Sequence, residues 1–323
     1  ASEEADADIS SKRTRTSDDE METSVCSPVS EDAVVTTHES TVTEDAVVRT
    51  HESLDPAAAV NTWQDWVQKK NSALEKGSLS GKRQLKLFKT NLLGMTPEEL
   101  NYALCLFIKE VRQPDDSPPS PCHIYLQCLG IQQYLHEQGR QDNIFADPQY
   151  EMFAGCFHSI FSQASSPDRE LREHIREEVL WQAKQLGDHS PLVLLNTLMY
   201  FNVKYFRLHT VEQHLQLSLA DVTEQEEKGP EGQPLKILRS TAGHQENESD
   251  HGCCDQPENT ENPQRCPVKL YELYLSKCPD AVRSKPGTYY MLPDRACSVE
   301  STVWYSCNPL GKDTISRMLT RFS

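Results

Sequence analysis

The sequence predicts a mainly α fold with a minor β component (α+β), as a helical bundle over 57–140 and a second domain over 141–323. Three observations point there. Apolar residues recur at helical spacing between start and stop signals, above all over 96–111, 148–163 and 190–205. Runs that read as strands are short and few, at 235–238, 289–292 and 303–305. Acidity, finally, is confined to two segments. Of the net charge of −17, residues 1–56 hold 15 acidic and 4 basic side chains, and 223–262 hold 10 and 3. The other residues carry 24 acidic and 25 basic side chains, so a near-neutral body is left to fold.

Each element has a local reason. Residues 1–56 are rich in Ser, Thr, Asp and Glu and read as a disordered acidic leader. A repeat, EDAVVTTHES at 31–40 and EDAVVRTHES at 44–53, lies inside it; two such copies are too few for a solenoid. Asn61-Thr62 reads as the cap of a first helix carrying Trp63, Trp66 and Val67 on one face. Thr96-Pro97-Glu98-Glu99 combines a threonine cap, a first-turn proline and a glutamate three residues on. The helix it starts points Leu100, Leu104, Phe107, Ile108 and Val111 inward and stops before Pro114. A third helix over 124–137 ends at Gly139. In the second domain, 148–163 and 168–186 read as helices, followed by the pair over 190–222. An exposed, disordered acidic insert is expected over 223–262, with one short strand at 235–238. Helical spacing returns after Pro267, and a last helix is expected over 313–322.

Composition excludes several classes. Acidic tails repel phosphate, so binding nucleic acid by counterion release alone is disfavoured. No run of 18 apolar residues occurs, which argues against a membrane span. The odd count of 11 cysteines and their placement within apolar helical patterns, as at Cys105, Cys128 and Cys156, point to reduced thiols. Cys297 and Cys307 flank strands and are expected to be buried. No Gly-rich phosphate loop, Gly-x-Ser-x-Gly or Cys-x-x-Cys is present. His251-Gly252-Cys253-Cys254 with Cys266 could gather around zinc, but adjacent cysteines lack the two-residue gap of a zinc knuckle. Neither a metal nor a cofactor is expected.

Blocks spread over most of the chain carry a family resemblance. They include 125–135 (YLQCLGIQQYL), Asp142-Asn143-Ile144-Phe145, Leu180-Trp181 and Lys184-Gln185-Leu186-Gly187. Further on come 190–198 (SPLVLLNTL), 210–215 (TVEQHL), Asn262-Pro263 with 265–269 (RCPVK), 274–277 (YLSK) and Trp304-Tyr305. Over 57–323 the chain resembles the C-terminal domain shared by the MYM-type zinc finger proteins and glutamine-rich protein 1. The resemblance implies descent from a transposon tyrosine recombinase, kept as a nuclear, chromatin-associated protein. The second domain is then a degenerate tyrosine-recombinase-like domain, and the zinc fingers of such proteins would lie upstream.

A working tyrosine recombinase needs two arginines, a lysine, a His-x-x-Arg box and a nucleophilic tyrosine, because fixed cations must hold the charge that develops on the scissile phosphate. His-x-x-Arg occurs nowhere here. Arg207, in the turn after the 190–205 helix, is the candidate for a vestigial first arginine, and Lys236 for the lysine; both also read as surface residues. No catalytic residue is assigned. Ser17, before Asp18-Asp19-Glu20, and Ser27, before Pro28, are candidate phosphorylation sites. The expected function is a non-catalytic nuclear protein-interaction module of a transcription regulator, with a co-repressor or chromatin complex as partner and no membrane or small-molecule substrate. The alternative is a sequence-tolerant DNA-binding remnant, using a basic face around Lys82, Arg83, Lys86, Lys89, Lys109 and Arg112.

Overall fold

The first helix begins at a cap that periodicity alone does not reveal. Asp55, not Asn61 or Thr62, accepts the orphan N–H of Ala58 at 2.9 Å and starts α1 (Pro56–Ser78). Thr62 lies one turn inside and bonds back to the Ala58 carbonyl. This computed structural model describes residues 54–78, 87–163, 177–229, 232–241, 255–284 and 286–322. Residues 1–53 of the leader with its repeat, Ser17 and Ser27, together with Lys82, Arg83, Lys86, His251, Cys253 and Cys254, lie outside the described residues, whereas the leader's last residues, 54–56, lead into α1.

Capping agrees with the sequence at the second helix, and the third starts three residues before the expected 124. α2 (Pro97–Glu110) starts at the Thr96–Glu99 capping box, and α3 (Pro121–Glu137) at Ser120 with Pro121 in its first turn. Gly139 takes φ +83° after α3, which L side chains rarely adopt. A 3₁₀ turn, Pro148–Tyr150, leads into α4 (Glu151–Ser162), and α5 (Glu177–Gln182) follows. α1 packs on α3, α2 on α4, and α3 on α5. Trp63, Trp66 and Phe107 form one aromatic knot; Tyr125, Phe145, Phe153, Phe157 and Phe161 form another. This first core runs from Ala59 to Leu186, past residue 140.

The second core runs from Leu194 to Leu319. α6 (Pro191–Lys204), capped by Ser190, is buried on nearly every side, as its apolar composition requires. α7 (Val211–Gln216) starts at a Thr210–Gln213 capping box. Residues 223–262, read from composition as a disordered insert, hold a three-stranded antiparallel sheet of β1 (Val222–Lys228), β2 (Pro234–Ser240) and β3 (Asp255–Pro257). Burial of Ile237 and Leu238 on β2, against α8 (Pro267–Lys277), outweighs the polar composition around them. β1 is an outer strand on which only Val222 is buried. After α9 (Asp280–Ser284), β4 (Met291–Pro293) pairs antiparallel with β5 (Tyr305–Pro309). Cys307, on β5, is exposed and Cys297 half-buried, against the burial expected for both. The last helix, α10 (Lys312–Leu319), packs on α4, α6 and α7 and so touches both cores.

A buried polar seam joins the cores. Arg321 is 7% exposed, and its guanidinium donates to Gln185 Oε1 at 3.2 Å and Asn196 Oδ1 at 2.6 Å. Gln185 in turn donates to Asn143 Oδ1, and Asn143 to the Lys184 carbonyl. A second arginine secures the first core. Arg140 donates from Nε to both carboxylate oxygens of Asp142, from Nη1 to the Leu92 and Met95 carbonyls, and from Nη2 to the Tyr150 hydroxyl. Tyr150 itself bonds to Asp142. Arg140→Met leaves the Leu92 and Met95 carbonyls without this donor and Asp142 with the Tyr150 hydroxyl but no countercharge, and is expected to cost about 2–4 kcal/mol. Urea denaturation is the check; a loss under about 0.5 kcal/mol, the scale of an ordinary surface substitution, would contradict this role.

Candidate functional site

The turn after α6 holds the residue that sequence reasoning singled out. Tyr205 closes the helix through its N–H to the Phe201 carbonyl, Phe206 and Leu208 are buried, and Arg207 between them takes φ +57°. Arg207 is exposed, and among the described residues its guanidinium has no hydrogen-bond or ion-pair partner. Its backbone sits where glycine would be less strained. Lys236, on β2, is held by Glu224 at 2.7 Å and Glu272 at 3.0 Å. The hydrogen bonds that it donates to these two carboxylates raise its pKa and occupy its charge. Neither side chain is presented as a free cation beside a second one.

The tyrosines are equally committed. Tyr289, Tyr290 and Tyr305 are buried, and burial pushes their pKa values up. Tyr305 donates to the Pro191 carbonyl at 2.8 Å. The Tyr290 hydroxyl lies 2.8 Å from both Asn202 Nδ2 and His214 Nδ1. His214 Nε2 faces the Leu208 carbonyl at 2.9 Å, an acceptor only, so Nε2 carries the proton and Nδ1 accepts from Tyr290. Tyr290 then accepts from Asn202, whose Oδ1 takes a bond from Gln256 at 2.8 Å. The chain of bonds closes with a neutral imidazole, and burial lowers the His214 pKa to about 4.

Elsewhere, a cavity of about 330 Å³ opens where α3, α5 and the 3₁₀ turn Pro263–Arg265 meet. Gln132 and His136 come from α3, Trp181 from α5, Lys184 and His189 from the loop after α5, and Arg265 from the 3₁₀ turn. Five blocks that carry the family resemblance therefore converge on one recess: 125–135, 142–145, 180–181, 184–187 and the run around 262–269. Sequence reasoning quoted these blocks but did not assemble them, and His136 and His189 lie just outside them. Arg265 is bidentate to Glu178 and lies 5.0 Å from the Trp181 ring centre. The histidines are held below their ordinary pKa, first by partial desolvation and then by the Lys184 charge. Among the described residues, no group of three His, Cys, Asp or Glu side chains is placed to hold a metal ion.

The basic face expected around α2 is partly spent. Lys89 is paired with Glu99, and two Arg112 hydrogen bonds go to the Lys109 and Val111 carbonyls. A groove of about 530 Å³ between α1 and α3 holds Lys69, Lys70, Arg112 and His123, but Lys70 is paired with Glu110 at 2.6 Å. No described helix is long and apolar enough to cross a membrane.

Two predictions follow from this geometry. Arg207→Gly relieves a left-handed strain at the expense of a freer unfolded chain, and should leave stability unchanged or raise it by about 0.5–1 kcal/mol in chemical denaturation. His214 protonates in the unfolded chain near pH 6.5 but in the folded one only at about 4. The unfolded state therefore binds the extra proton between these values, and stability present above pH 6.5 is lost as pH falls toward 4, by roughly 3 kcal/mol. His214→Gln should flatten the stability–pH curve over that window, and an unchanged slope would refute the assignment.

Comparison with known proteins places these elements. A family model described as the QRICH1 domain matches residues 53–164, and one described as a domain of unknown function (DUF3504) matches 171–323. Human transcriptional regulator QRICH1 is 39% identical over 284 residues, covering 83% of this chain and 37% of that protein. Mouse zinc finger MYM-type protein 2 is 39% identical over 283 residues, 81% of this chain and 20% of its own length. Mouse zinc finger MYM-type protein 3 is 38% identical over 289 residues, 83% of this chain and 21% of its own length. The chain thus spans about a third or less of the relatives it matches. No solved structure matches it. With its QRICH1 and DUF3504 domains in tandem, the chain belongs with transcriptional regulator QRICH1 and the MYM-type zinc finger proteins as their homologue over most of its length.

Proposed function

We propose that the folded body is a non-catalytic protein-interaction module of a nuclear, chromatin-associated transcription regulator, descended from a transposon tyrosine recombinase. The observation that carries the reading is the state of the two residues nearest to catalytic roles. Arg207 stands alone on a strained turn, and Lys236 is neutralised by two carboxylates. Oxyanion-type stabilisation accounts for about 2.7–4 kcal/mol per donor, so phosphoryl transfer needs several such cations aimed at one point. The similarity to QRICH1, a transcriptional regulator, supports the regulatory half of the proposal. A co-repressor or chromatin complex is the partner class proposed, and the nucleus the compartment.

A sequence-tolerant DNA-binding remnant is the second reading, favoured only by the cations along the groove between α1 and α3. The pairing of Lys70 with Glu110 weakens it. Given supercoiled plasmid or a suicide DNA substrate, the full chain should form no covalent phosphotyrosine adduct. An adduct that vanishes in Arg207→Ala would overturn the non-catalytic reading. In filter binding, DNA retention should be weak and nearly flat with salt. A steep log–log slope would instead count phosphate contacts, about 0.9 per contact, and favour the DNA remnant.

A further inference from the structure

The cavity between α3, α5 and the Pro263–Arg265 turn gathers Lys184, His136 and His189 in its lining. Lys184 is the central group. Its backbone takes φ +56°, a strained position for a lysine, and three residues on Gly187 takes φ +149°. A Cβ at Gly187 would stand 2.8 Å from His189 Nδ1, so glycine is what lets the imidazole lie against the loop. The loop is pinned from behind: the Gly187 N–H donates to Thr197 Oγ1 at 2.8 Å, and the Lys184 carbonyl accepts from Asn143 at 3.0 Å. This is a braced loop presenting a lysine and a histidine into a recess, with His136 of α3 also in its lining.

The partners of these groups decide what the recess lacks. Among the described residues, neither the Lys184 ammonium nor the ring nitrogens of His136 and His189 has a hydrogen-bond or ion-pair partner. Asp188 is the one carboxylate in the lining, and Glu137 acts on His136 from α3. Arg265 at the rim is already matched by Glu178. The buried amides are also spoken for, since Gln132 bonds the Asp142 carbonyl and the Ile144 N–H. What remains is Lys184, with the Asp188 carboxylate in the same lining, and two imidazoles whose protonation Lys184 opposes. A monoanion can be met by the lysine alone and gives the imidazoles little reason to take up protons. A dianion would also draw protons onto the two imidazoles and gain charge-assisted hydrogen bonds from both.

We propose that this cavity binds a phosphate monoester, presented as a phosphorylated serine or threonine side chain of a partner protein. The proposal rests on the interaction-module reading and names the chemistry by which such a partner would be held. Each phosphodiester of a nucleic-acid backbone carries a single charge, which is the wrong valence for this set of groups.

The test uses the full chain with histidines labelled for NMR. The probes are inorganic phosphate, N-acetyl-phosphoserine amide, N-acetyl-glutamate amide and a short DNA duplex, all at constant ionic strength. Saturable shifts of His136 and His189, with both imidazole pKa values rising, are expected for the first two probes. Lys184→Met and Lys184→Gln should each weaken binding about tenfold or more, with an unchanged thermal transition. No saturable shift, or shifts equal in wild type and both variants, would overturn the proposal. Equal binding of the glutamate amide would reduce the site to one for any anion, and tighter binding of the duplex would reassign it to nucleic acid; both outcomes overturn it. Capture of nuclear protein by wild type is measured in parallel. If capture persists while phosphate fails to bind, the anion site alone falls; if wild type captures nothing, the interaction-module reading falls with it.

Discussion

The structure depends on how one buried charge is held. Arg321 lies between the two cores with no carboxylate beside it among the described residues, gripped by the side-chain oxygens of Gln185 and Asn196. Burial lowers its pKa, yet a guanidinium remains protonated under any ordinary condition. Its desolvation is therefore offset by amide dipoles and by the face of Phe322, 5.4 Å away. Two amides that must point at one guanidinium cannot take other rotamers. That requirement orients the loop around Gln185 and the face of α6 that carries Asn196, and those in turn set the recess lined by Lys184 and the turn at Arg207.

Much of the helical architecture is legible in the sequence, because its determinants are local. The Thr96 capping box, Ser120 and Ser190 before their prolines, and Gly139 each act within one turn of chain. Where context dominates, local reading fails. Of the sheet over 222–257 only the middle strand is foreshadowed, at 235–238; β1 is hidden because it is almost wholly exposed and acidic, while its support is the buried Ile237 and Leu238 of the neighbouring strand. Asp55 was hidden for a related reason: a cap is recognised by the helix that follows, and Ala57 to Val60 show no periodicity of their own.

The site divides along the same line. Arg207 and Lys236 could be picked out by residue type and order, but whether each is free or spent is a matter of φ and of distant carboxylates. Glu272 lies 36 residues from Lys236. The neutral tautomer of His214 depends on Tyr290, 76 residues away, and on the carbonyl of Leu208. The recess around Lys184 draws on five separated blocks, and a single sequence supplies their presence without their adjacency.

The reach of the Arg321 contacts also sets a clock. Gln185 and Asn196 are separated from their guanidinium by 136 and 125 residues. At roughly 5–20 residues per second, a ribosome needs about 6–25 s to supply the arginine after these amides are made. During that interval the first core, complete at Leu186, can condense, while the second, which runs to Leu319, is still being made, so the surface destined to meet it stays open and wet. The nascent chain thus spends seconds as one body waiting for its other half, the period in which a chaperone has most to shield.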